Sequence, residues 1–407
     1  MVLRLKQLSS LLIKPSGPDC NLDCSYCFYL EKADLFPKAI HRMSLDTLEL
    51  LLRQAMEQSG PRITISWQGG EPTLMGLPWF EKAVEFQEKY GNGKTVGNGL
   101  QTNGLLLDTQ WARFLKEYRF LVGLSIDGPE HVHDKYRLTQ GRKGSWHTVA
   151  EKASLLMEEG VEVNSLSVVT DYSSQYAEEI YEYLKSLGFR HMQFIPCVET
   201  DPVDRTKAAA YSVSAEAYGR FLVDIFDLWK RDFADGMPTV SIRYFDSVFH
   251  KYVGMTAPDC TLGRTCGTYV VVEHNGDVYS CDFFVEPSWK LGNLATDRLV
   301  DMLNSDRQNE FGNWKADLPQ MCQSCKWLRN CWGGCTKDRI RDPQETDPNH
   351  FCRSYMMFFE HADGDLTELA HQWRSGKSSG IRAEPGQAAP QIHGTQSRFK
   401  NSLTEMN

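Results

Sequence analysis

Three cysteines near the start of the chain, Cys20, Cys24 and Cys27, have the spacing CxxxCxxC. This spacing places three thiols in one short loop, where they can bind a single metal centre. A structural zinc site normally takes four protein ligands, and no fourth Cys or His stands nearby. Three thiolates on a four-iron cluster instead leave one iron open to a small molecule. We therefore interpret the triplet as iron–sulfur ligands; a zinc knuckle lacking one ligand, or buried thiols without a metal, are the alternatives.

Eight further cysteines lie in the C-terminal part of the chain: Cys260, Cys266, Cys281, Cys322, Cys325, Cys331, Cys335 and Cys352. The CxxC pair at 322–325, followed by two more cysteines within ten residues, predicts a metal site whichever metal is bound. Eight thiolates are enough for two fully ligated iron–sulfur clusters. Two four-cysteine zinc sites are the alternative. The twelfth cysteine, Cys197, is predicted to be a small buried side chain rather than a ligand.

The composition excludes several classes of partner and compartment. The 407 residues carry a net charge of −9, and Lys and Arg form no block, so a surface for nucleic acid or anionic lipid is not expected. The N-terminal apolar stretch is too short for a signal peptide, and no window is long enough to span a membrane. We therefore expect a cytoplasmic protein, and a reducing compartment makes the cysteines metal ligands rather than disulfides.

Strand and helix signals alternate over the first 200 residues. Amphipathic helices are predicted after the N-caps Ser44 and Asp108. Six short apolar runs predict buried strands at Ser10–Lys14, Arg62–Trp67, Thr95–Gln101, Phe120–Ile126, Val161–Thr170 and His191–Pro196. This alternation predicts a parallel sheet, either an α/β barrel or an open doubly wound sheet.

Ligands of both architectures bind at the carboxyl ends of the strands. The candidate functional residues follow strand ends in this sequence: the cysteine triplet, Gly69 and Gly70, Ser125 and Asp127, and Val198. We therefore expect one site that combines them.

Composition divides the chain into four predicted parts. Residues 1–210 form the α/β domain, and residues 211–255 are a helical connector. Residues 256–373 form a smaller cysteine-rich domain built around metal. Residues 374–407 have no apolar period and are predicted to be a disordered tail.

The motifs resemble those of a known superfamily. CysAsnLeuAspCysSerTyrCys at 20–27, TrpGlnGlyGlyGluPro at 67–72 and GlnThrAsnGly at 101–104 are similar to radical S-adenosylmethionine enzymes. GlyLeuSerIleAspGlyPro at 123–129, GlnPheIlePro at 193–196 and the eight C-terminal cysteines resemble the anaerobic sulfatase-maturating enzymes in particular. The resemblance covers the chain to about residue 360. It implies a partial (βα)6 barrel, followed by a SPASM-type domain that carries two auxiliary iron–sulfur clusters.

The resemblance also implies a set of cofactor contacts. The triplet would bind a [4Fe–4S] cluster whose open iron chelates S-adenosylmethionine. The remaining contacts implied for this cofactor are Tyr26, Gly69, Gly70, Glu71, Ser125, Arg137 and Val198. The chemistry agrees, because glycines allow close backbone approach and Glu71 offers a charge-assisted bond. Taken singly, each of these residues is equally compatible with a structural role.

Further roles come from the same resemblance. One auxiliary [4Fe–4S] cluster would be held by Cys260, Cys266, Cys281 and Cys335. The other would be held by Cys322, Cys325, Cys331 and Cys352. Asp282 matches the proton acceptor proposed for the family, although a surface aspartate in a turn is the alternative. Tyr29 and Gln68 flank the motifs and are predicted to line the substrate side.

The activity implied is anaerobic oxidation of a Cys or Ser in a sulfatase to Cα-formylglycine. The implied partners are an unfolded or nascent sulfatase with a Cys/Ser-x-Pro-x-Arg motif and an electron donor such as flavodoxin or ferredoxin, with the enzyme as a monomer. One alternative is a radical enzyme that crosslinks or epimerises a ribosomal peptide. Another is a zinc-stabilised interaction module without catalysis. The choice between Cys and Ser targets has no readable motif in the sequence.

Overall fold

The computed structural model describes residues 5–375. The strands are β1 Leu8–Lys14, β2 Ser59–Trp67, β3 Thr95–Thr102, β4 Leu121–Ser125, β5 Glu162–Val169, β6 His191–Pro196, β7 Phe233–Ala234, β8 Met237–Pro238, β9 Ser241–Ile242, β10 Val270–Glu273, β11 Asp277–Tyr279 and β12 Lys290–Asn293. The helices are α1 Leu45–Gln58, α2 Leu77–Gly91, α3 Thr109–Glu117, α4 Glu130–His133, α5 Trp146–Glu158, α6 Ala177–Ser186, α7 Ala215–Arg231, α8 Arg243–Tyr252, α9 Leu299–Leu303, α10 Asp306–Ala316, α11 Gln320–Gln323, α12 Leu328–Cys331 and α13 Cys352–Arg374.

The six predicted strands are all present and pair in chain order. Strands β1 to β6 are parallel neighbours, and β9 extends the sheet beyond β6. A doubly wound sheet reverses its strand order at a switch point, and no reversal occurs between β1 and β6. The α/β prediction is confirmed, and the strand order is that of a barrel-type sheet. All carboxyl ends of β1 to β6 therefore lie along one edge.

The cysteine-rich region adds strands to the same sheet. β10 pairs in parallel with β1, with Leu11 opposite Val270 and Lys14 opposite Glu273. β11 and β12 follow as antiparallel neighbours, so the ten-stranded sheet runs from β12 to β9. The strands on the two sides of the predicted domain boundary at residue 256 thus belong to one continuous sheet. This pairing brings the end of β10 beside the end of β1.

The helix starts follow from the capping residues. The Ser44 side chain accepts a hydrogen bond from the Thr47 amide, and the Asp108 side chain accepts one from the Trp111 amide. Both N-caps were predicted and are confirmed. A cap satisfies an amide that has no partner within the helix, so each helix begins where its cap stands. Helices α1 and α3 then bury one apolar face each against the sheet core.

Helices α7 and α13 connect the two halves of the chain. They pack through aromatic side chains, with the rings of Phe226 and Phe358 5.6 Å apart and those of Tyr218 and Phe351 5.1 Å apart. Helix α13 ends at Arg374, and the predicted tail beyond residue 375 lies outside the described residues. Among residues 5–375, no helix has both the length and the apolar character of a membrane-spanning segment.

Candidate functional site

The cysteine triplet lies in the loop after β1, and its three thiols are close together. Burial raises the pKa of Cys24 to about 12; the charges of Cys27 and Cys20 raise it as well, while the nearby Arg137 lowers it. Three thiolates this close repel each other, and burial removes the water that would screen them. Iron ions supply the positive charge that such a set requires. The triplet therefore fits an iron–sulfur cluster.

A second segment holds the cysteine loop in place. The Asp23 amide donates to the Leu138 carbonyl over 2.8 Å, and the Ser25 amide donates to the Tyr136 carbonyl over 3.2 Å. These backbone bonds fix the loop on both sides of Cys24. The segment after β4 thus shapes the site, although the sequence motif gives no sign of this pairing.

Asp127 connects Tyr26 and Arg137 beside the triplet. Its Oδ2 accepts hydrogen bonds from the Tyr26 hydroxyl over 2.5 Å and from Arg137 Nε over 3.1 Å. Its Oδ1 accepts from the Val168 amide over 2.9 Å. Burial lowers the pKa of Arg137, but the charges of Asp127, Tyr26 and Cys24 together outweigh this effect and raise it. Both predicted cofactor contacts are therefore held in fixed positions, with Arg137 charged.

The glycine motif after β2 packs directly against the turn that precedes the triplet. The Gly70 amide donates to the Gly17 carbonyl, and the Glu71 amide donates to the Asp19 carbonyl, each over 2.8 Å. Gly69 has φ of +138°, a region in which other residues are strained. A Cβ on Gly70 would lie 2.0 Å from the Asp19 carbonyl oxygen. The two glycines are thus required by the packing of two backbones.

Glu71 is fully buried, and its carboxylate is occupied by the protein. Oε1 accepts hydrogen bonds from the Thr73 amide, the Thr73 hydroxyl and the Thr102 hydroxyl, and Oε2 accepts one from the Asn103 amide. Burial raises the pKa of Glu71, and these bonds counteract the rise. Asn103 Nδ2 in turn lies 3.7 Å from Cys20 Sγ. The resemblance implied that Glu71 contacts the cofactor directly. Because its carboxylate already has four protein donors, we expect Glu71 to shape the loop rather than to bind the cofactor.

We expect Gly70→Ala to lower the melting temperature and weaken binding of S-adenosylmethionine. The new methyl group meets backbone rather than a flexible side chain, so the loop must move at a cost of about 1–3 kcal/mol. Gly97→Ala is the matched control, because its Cβ has only Thr64 Oγ1 within 4 Å, at 3.8 Å. Thermal unfolding and equilibrium binding measure both effects. Equal behaviour of the two variants would contradict the packing argument.

Asp282 forms a buried ion pair at the edge between β1 and β10. The Lys14 ammonium contacts Asp282 Oδ1, and Gln68 Nε2 donates to Asp282 Oδ2 over 3.0 Å. Lys14 is fully buried and Asp282 is 7% exposed. The alternative of a surface aspartate is therefore wrong, because Cys281 leads directly into a buried turn at residue 282.

Tyr29 belongs to the same buried network. Its hydroxyl donates to Glu273 Oε1, and Lys14 Nζ lies 3.6 Å from the centre of its ring. Burial raises the pKa of Tyr29 well above its usual range, and the charge of Glu273 adds to the effect. Tyr29 is 2% exposed, so its predicted place on the substrate side stays a prediction. Lys14 was missed, although a lysine that ends an otherwise apolar strand was a readable signal.

The eight C-terminal cysteines form two separate groups. In the first, burial raises the pKa of Cys335 well above its usual range, and the charges of Cys260 and Cys281 act in the same direction. Burial likewise raises the pKa of Cys281 to about 12, with a contribution from Cys266. Four thiols that are distant in sequence therefore interact in space. These interactions agree with the interleaved set implied by the resemblance, whose binding of a cluster stays a prediction.

The second group forms around the start of α13. Burial raises the pKa of Cys352 to about 12, and nearby charges at Cys331, Cys322 and Cys325 raise it further. Four thiolates leave no open position on a four-iron cluster, which suits electron transfer or structural support. Within residues 5–375, none of the twelve cysteines forms a disulfide. Four-ligand zinc would fit the geometry of each group as well.

The remaining predicted residues lie at strand ends as expected. Ser125 is the last residue of β4 and is 8% exposed, and Val198 follows β6 and is fully buried. Cys197 is buried beside Cys24 and Tyr26 in a small apolar cluster, which confirms its expected burial. The carboxyl edge of the sheet thus brings together the triplet, the glycine motif and Asp282.

Comparison with known proteins defines the class. The radical SAM superfamily model matches residues 15–198, and an iron–sulfur cluster-binding domain model, SPASM, matches residues 260–326. The solved structure of native anSMEcpe with bound AdoMet and Cp18Cys peptide is 36% identical, with a TM-score of 0.83 over 89% of this chain and 99% of that chain. Streptococcus suis SuiB shares the fold, with a TM-score of 0.59 at 17% identity. The protein is a radical S-adenosylmethionine protein with a cysteine-rich iron–sulfur domain, and these domains imply [4Fe–4S] clusters.

Two curated relatives narrow the class to a family. The serine-type anaerobic sulfatase-maturating enzyme of Bacteroides thetaiotaomicron is 38% identical over 86% of this chain and 88% of its own length. The cysteine-type enzyme of Clostridium novyi is 36% identical over 89% of this chain and 97% of its own length. The chain therefore belongs to the anaerobic sulfatase-maturating enzymes. The family resemblance of the motifs is confirmed.

Proposed function

We propose that this protein oxidises the Cβ of a Cys or Ser in a sulfatase to Cα-formylglycine under anaerobic conditions. The observation that carries the proposal is the contact between Gln68 and Asp282. Gln68 directly precedes the glycine motif, and Asp282 directly follows a cysteine of the C-terminal set. This contact supports the proposal, because it brings the proposed proton acceptor beside the loop that would receive the radical cofactor.

The proposed residues divide the chemistry between them. Cys20, Cys24 and Cys27 would hold the first [4Fe–4S] cluster. With S-adenosylmethionine, such a cluster would supply the radical chemistry that removes a hydrogen atom from Cβ of the target residue. The rest of the oxidation removes one proton and one electron, which gives the aldehyde directly from Ser. A Cys target gives a thioaldehyde, and its hydrolysis by water yields the aldehyde and releases hydrogen sulfide. Asp282, which contacts Lys14, would take the proton from the thiol or hydroxyl.

Several features of the chain would orient the cofactor. Arg137 and Tyr26 are fixed by Asp127 beside the triplet. Gly69 and Gly70 bring backbone carbonyls to the carboxyl edge of the sheet, where an ammonium group can bind. Ser125 and Val198 are proposed to contact the nucleoside part. Burial of Cys24, Arg137 and Asp282 would limit the access of water to this edge, which protects a reactive radical from side reactions.

The two C-terminal groups of four cysteines would each hold an auxiliary [4Fe–4S] cluster. Cys260, Cys266, Cys281 and Cys335 are proposed for one cluster and Cys322, Cys325, Cys331 and Cys352 for the other. The electrostatic interactions within each group support this division. Asp282 adjoins Cys281, so the proton acceptor stands next to the first group. Full ligation by thiolates would suit these clusters to accept an electron.

Sequence identity does not separate the two target types, because serine-type and cysteine-type relatives are equally similar to this chain, at 38% identity.

The target is proposed to carry Cys/Ser-x-Pro-x-Arg. A cytoplasmic location, a monomeric state and flavodoxin or ferredoxin as electron donor remain predictions. A different peptide-modifying activity on the same scaffold is the rival function.

The test is anaerobic turnover of the reconstituted protein with S-adenosylmethionine, a reductant and two peptides that differ only in Cys or Ser at the target position. Mass spectrometry should show conversion of at least one peptide to the aldehyde. Because the aldehyde differs in mass from both substrates, the same spectra identify the preferred target. Formation of 5′-deoxyadenosine with both peptides intact would exclude sulfatase maturation and favour the rival function.

A further inference from the structure

Three side chains converge in the loop between α12 and α13, outside both groups of cysteines. His350 Nδ1 lies 3.1 Å from Asp342 Oδ2 and 3.7 Å from Glu345 Oε2. One ligand atom from each residue lies within 4.8 Å of both others. None of these residues has a part in the proposed reaction. The loop connects Cys335 with Cys352, and therefore joins the two groups of four cysteines.

Both carboxylates are held by the loop backbone through one oxygen only. Asp342 Oδ1 accepts a hydrogen bond from the Gln344 amide over 3.0 Å. Glu345 Oε1 accepts from the Thr346 amide over 3.0 Å and the Asp347 amide over 3.1 Å. The second oxygen of each carboxylate faces His350. Two carboxylate oxygens and one imidazole nitrogen thus surround a common position, within 4.8 Å of one another.

The orientation of His350 is the independent observation. The residue is 6% exposed, and its Nε2 lies 2.8 Å from the Val213 carbonyl oxygen. A carbonyl only accepts, so Nε2 is the nitrogen that donates to Val213, and Nδ1 is the nitrogen that faces the two carboxylates. Within residues 5–375, Nδ1 forms no hydrogen bond. A histidine that donates its other N–H to a carbonyl has the usual arrangement of a metal ligand.

We propose that Asp342, Glu345 and His350 bind a divalent transition-metal ion, for which Zn²⁺ is the best match. Two ligands about 2.1 Å from a tetrahedral zinc ion are about 3.4 Å apart. The distances from Nδ1 to the two carboxylate oxygens, 3.1 and 3.7 Å, bracket this value. One imidazole and two carboxylates suit Zn²⁺ and, less tightly, Mn²⁺. Water supplies the fourth ligand from the partly exposed side at Glu345.

The ion would have a structural role. It neutralises two carboxylates that face one buried nitrogen, and it ties the loop to His350. Through Nε2, His350 is itself bound to the backbone just before α7. The ion would therefore fasten the segment between Cys335 and Cys352 to the helical connector. This proposal is independent of the proposed function.

The test uses the full-length protein, anaerobically reconstituted with its clusters. Mn²⁺ is the probe, because the signal of free Mn²⁺ in electron paramagnetic resonance disappears on binding. Asp342→Asn and Glu345→Gln keep the backbone-facing oxygen and remove the charge. Glu310→Gln is the matched control at an exposed position. Cluster absorbance is recorded throughout, so that any metal exchange at the cysteines is visible.

One Mn²⁺ per chain should bind to the native protein and to Glu310→Gln, and Zn²⁺ should displace it. Affinity should fall at least tenfold in Asp342→Asn and in Glu345→Gln. The melting temperature of the native protein should rise with added Zn²⁺, and that of the two variants should not. Two results would overturn the proposal: no stoichiometric binding of Mn²⁺, or equal binding by all four proteins while the cluster absorbance is unchanged. In either case the three side chains form a buried histidine ion pair and not a metal site.

Discussion

Cys24→Ala is expected to abolish cleavage of S-adenosylmethionine and all oxidation of a target peptide. Cys24 is buried among its two partner cysteines beside Arg137, and two thiolates do not retain a four-iron cluster with one open iron. The iron content should fall by about one third, because one of three proposed clusters is lost. Iron analysis, visible absorbance and chromatography of 5′-deoxyadenosine measure the three effects.

The control for this variant is Cys197→Ala. Cys197 is buried in the same small apolar cluster as Cys24 but belongs to neither the triplet nor the C-terminal groups. Loss of its sulfur leaves a similar small cavity, so the two variants differ chiefly in metal ligation. Cys197→Ala should keep its iron and its cleavage activity. Retention of full iron by Cys24→Ala would refute the assignment of the triplet.

Asp282→Asn is expected to slow formylglycine formation at least about 100-fold, the usual contribution of a general base. Formation of 5′-deoxyadenosine should continue, because the triplet and the glycine motif are unchanged. The two products therefore separate a lost proton acceptor from a lost cofactor site. Both are measured in one anaerobic turnover with the preferred peptide.

Stability must be controlled in this second experiment. The substitution leaves Lys14 buried without its carboxylate, which is costly for a fully buried charge. Lys14→Met combined with Asp282→Asn removes that charge and should restore folding without restoring oxidation. Asp277→Asn, at a carboxylate on β11 that pairs with Lys290, should oxidise the peptide normally. Oxidation at the native rate by folded Asp282→Asn would remove Asp282 from the mechanism.

The sequence was sufficient for the first half of the fold. Apolar runs bounded by turns identified all six strands of β1 to β6, because buried parallel strands have continuous apolar segments. Capping side chains located the starts of α1 and α3. Hydrophobic pattern did not choose between a barrel-type and a doubly wound sheet, since strand order depends on which neighbours pair rather than on local composition.

The second half depends on contacts between distant residues. The pairing of β10 with β1 joins segments that are more than 250 residues apart, and nothing local to either strand specifies its partner. The Lys14–Asp282 ion pair follows from this register, which is why Lys14 was missed. Spacing alone also left the division of the eight cysteines open, because the two sets interleave along the chain. The resemblance to the family supplied that division.

Glu71 shows a different reason for an incomplete prediction. Its place in a glycine motif implied a direct contact with the cofactor. Its carboxylate accepts bonds from Thr73, Thr102 and Asn103, and the direct contact with the cofactor stays a prediction. A buried carboxylate accepts from whatever donors the tertiary fold supplies, and two of its four donors, on Thr102 and Asn103, come from a motif about thirty residues later. The sequence identified both motifs but not that they bind each other.

The pairing of β10 with β1 also constrains how the protein can be made. During synthesis, β1 leaves the ribosome early, and its outer edge has no partner until residue 270 has followed. An unpaired edge of apolar residues is a template for association with other chains. A fragment that stops at residue 255 would retain this edge, so we expect it to aggregate rather than persist as a free-standing module. Folding of the enzyme thus requires the whole chain, because β10 is synthesised late and covers the exposed edge of β1.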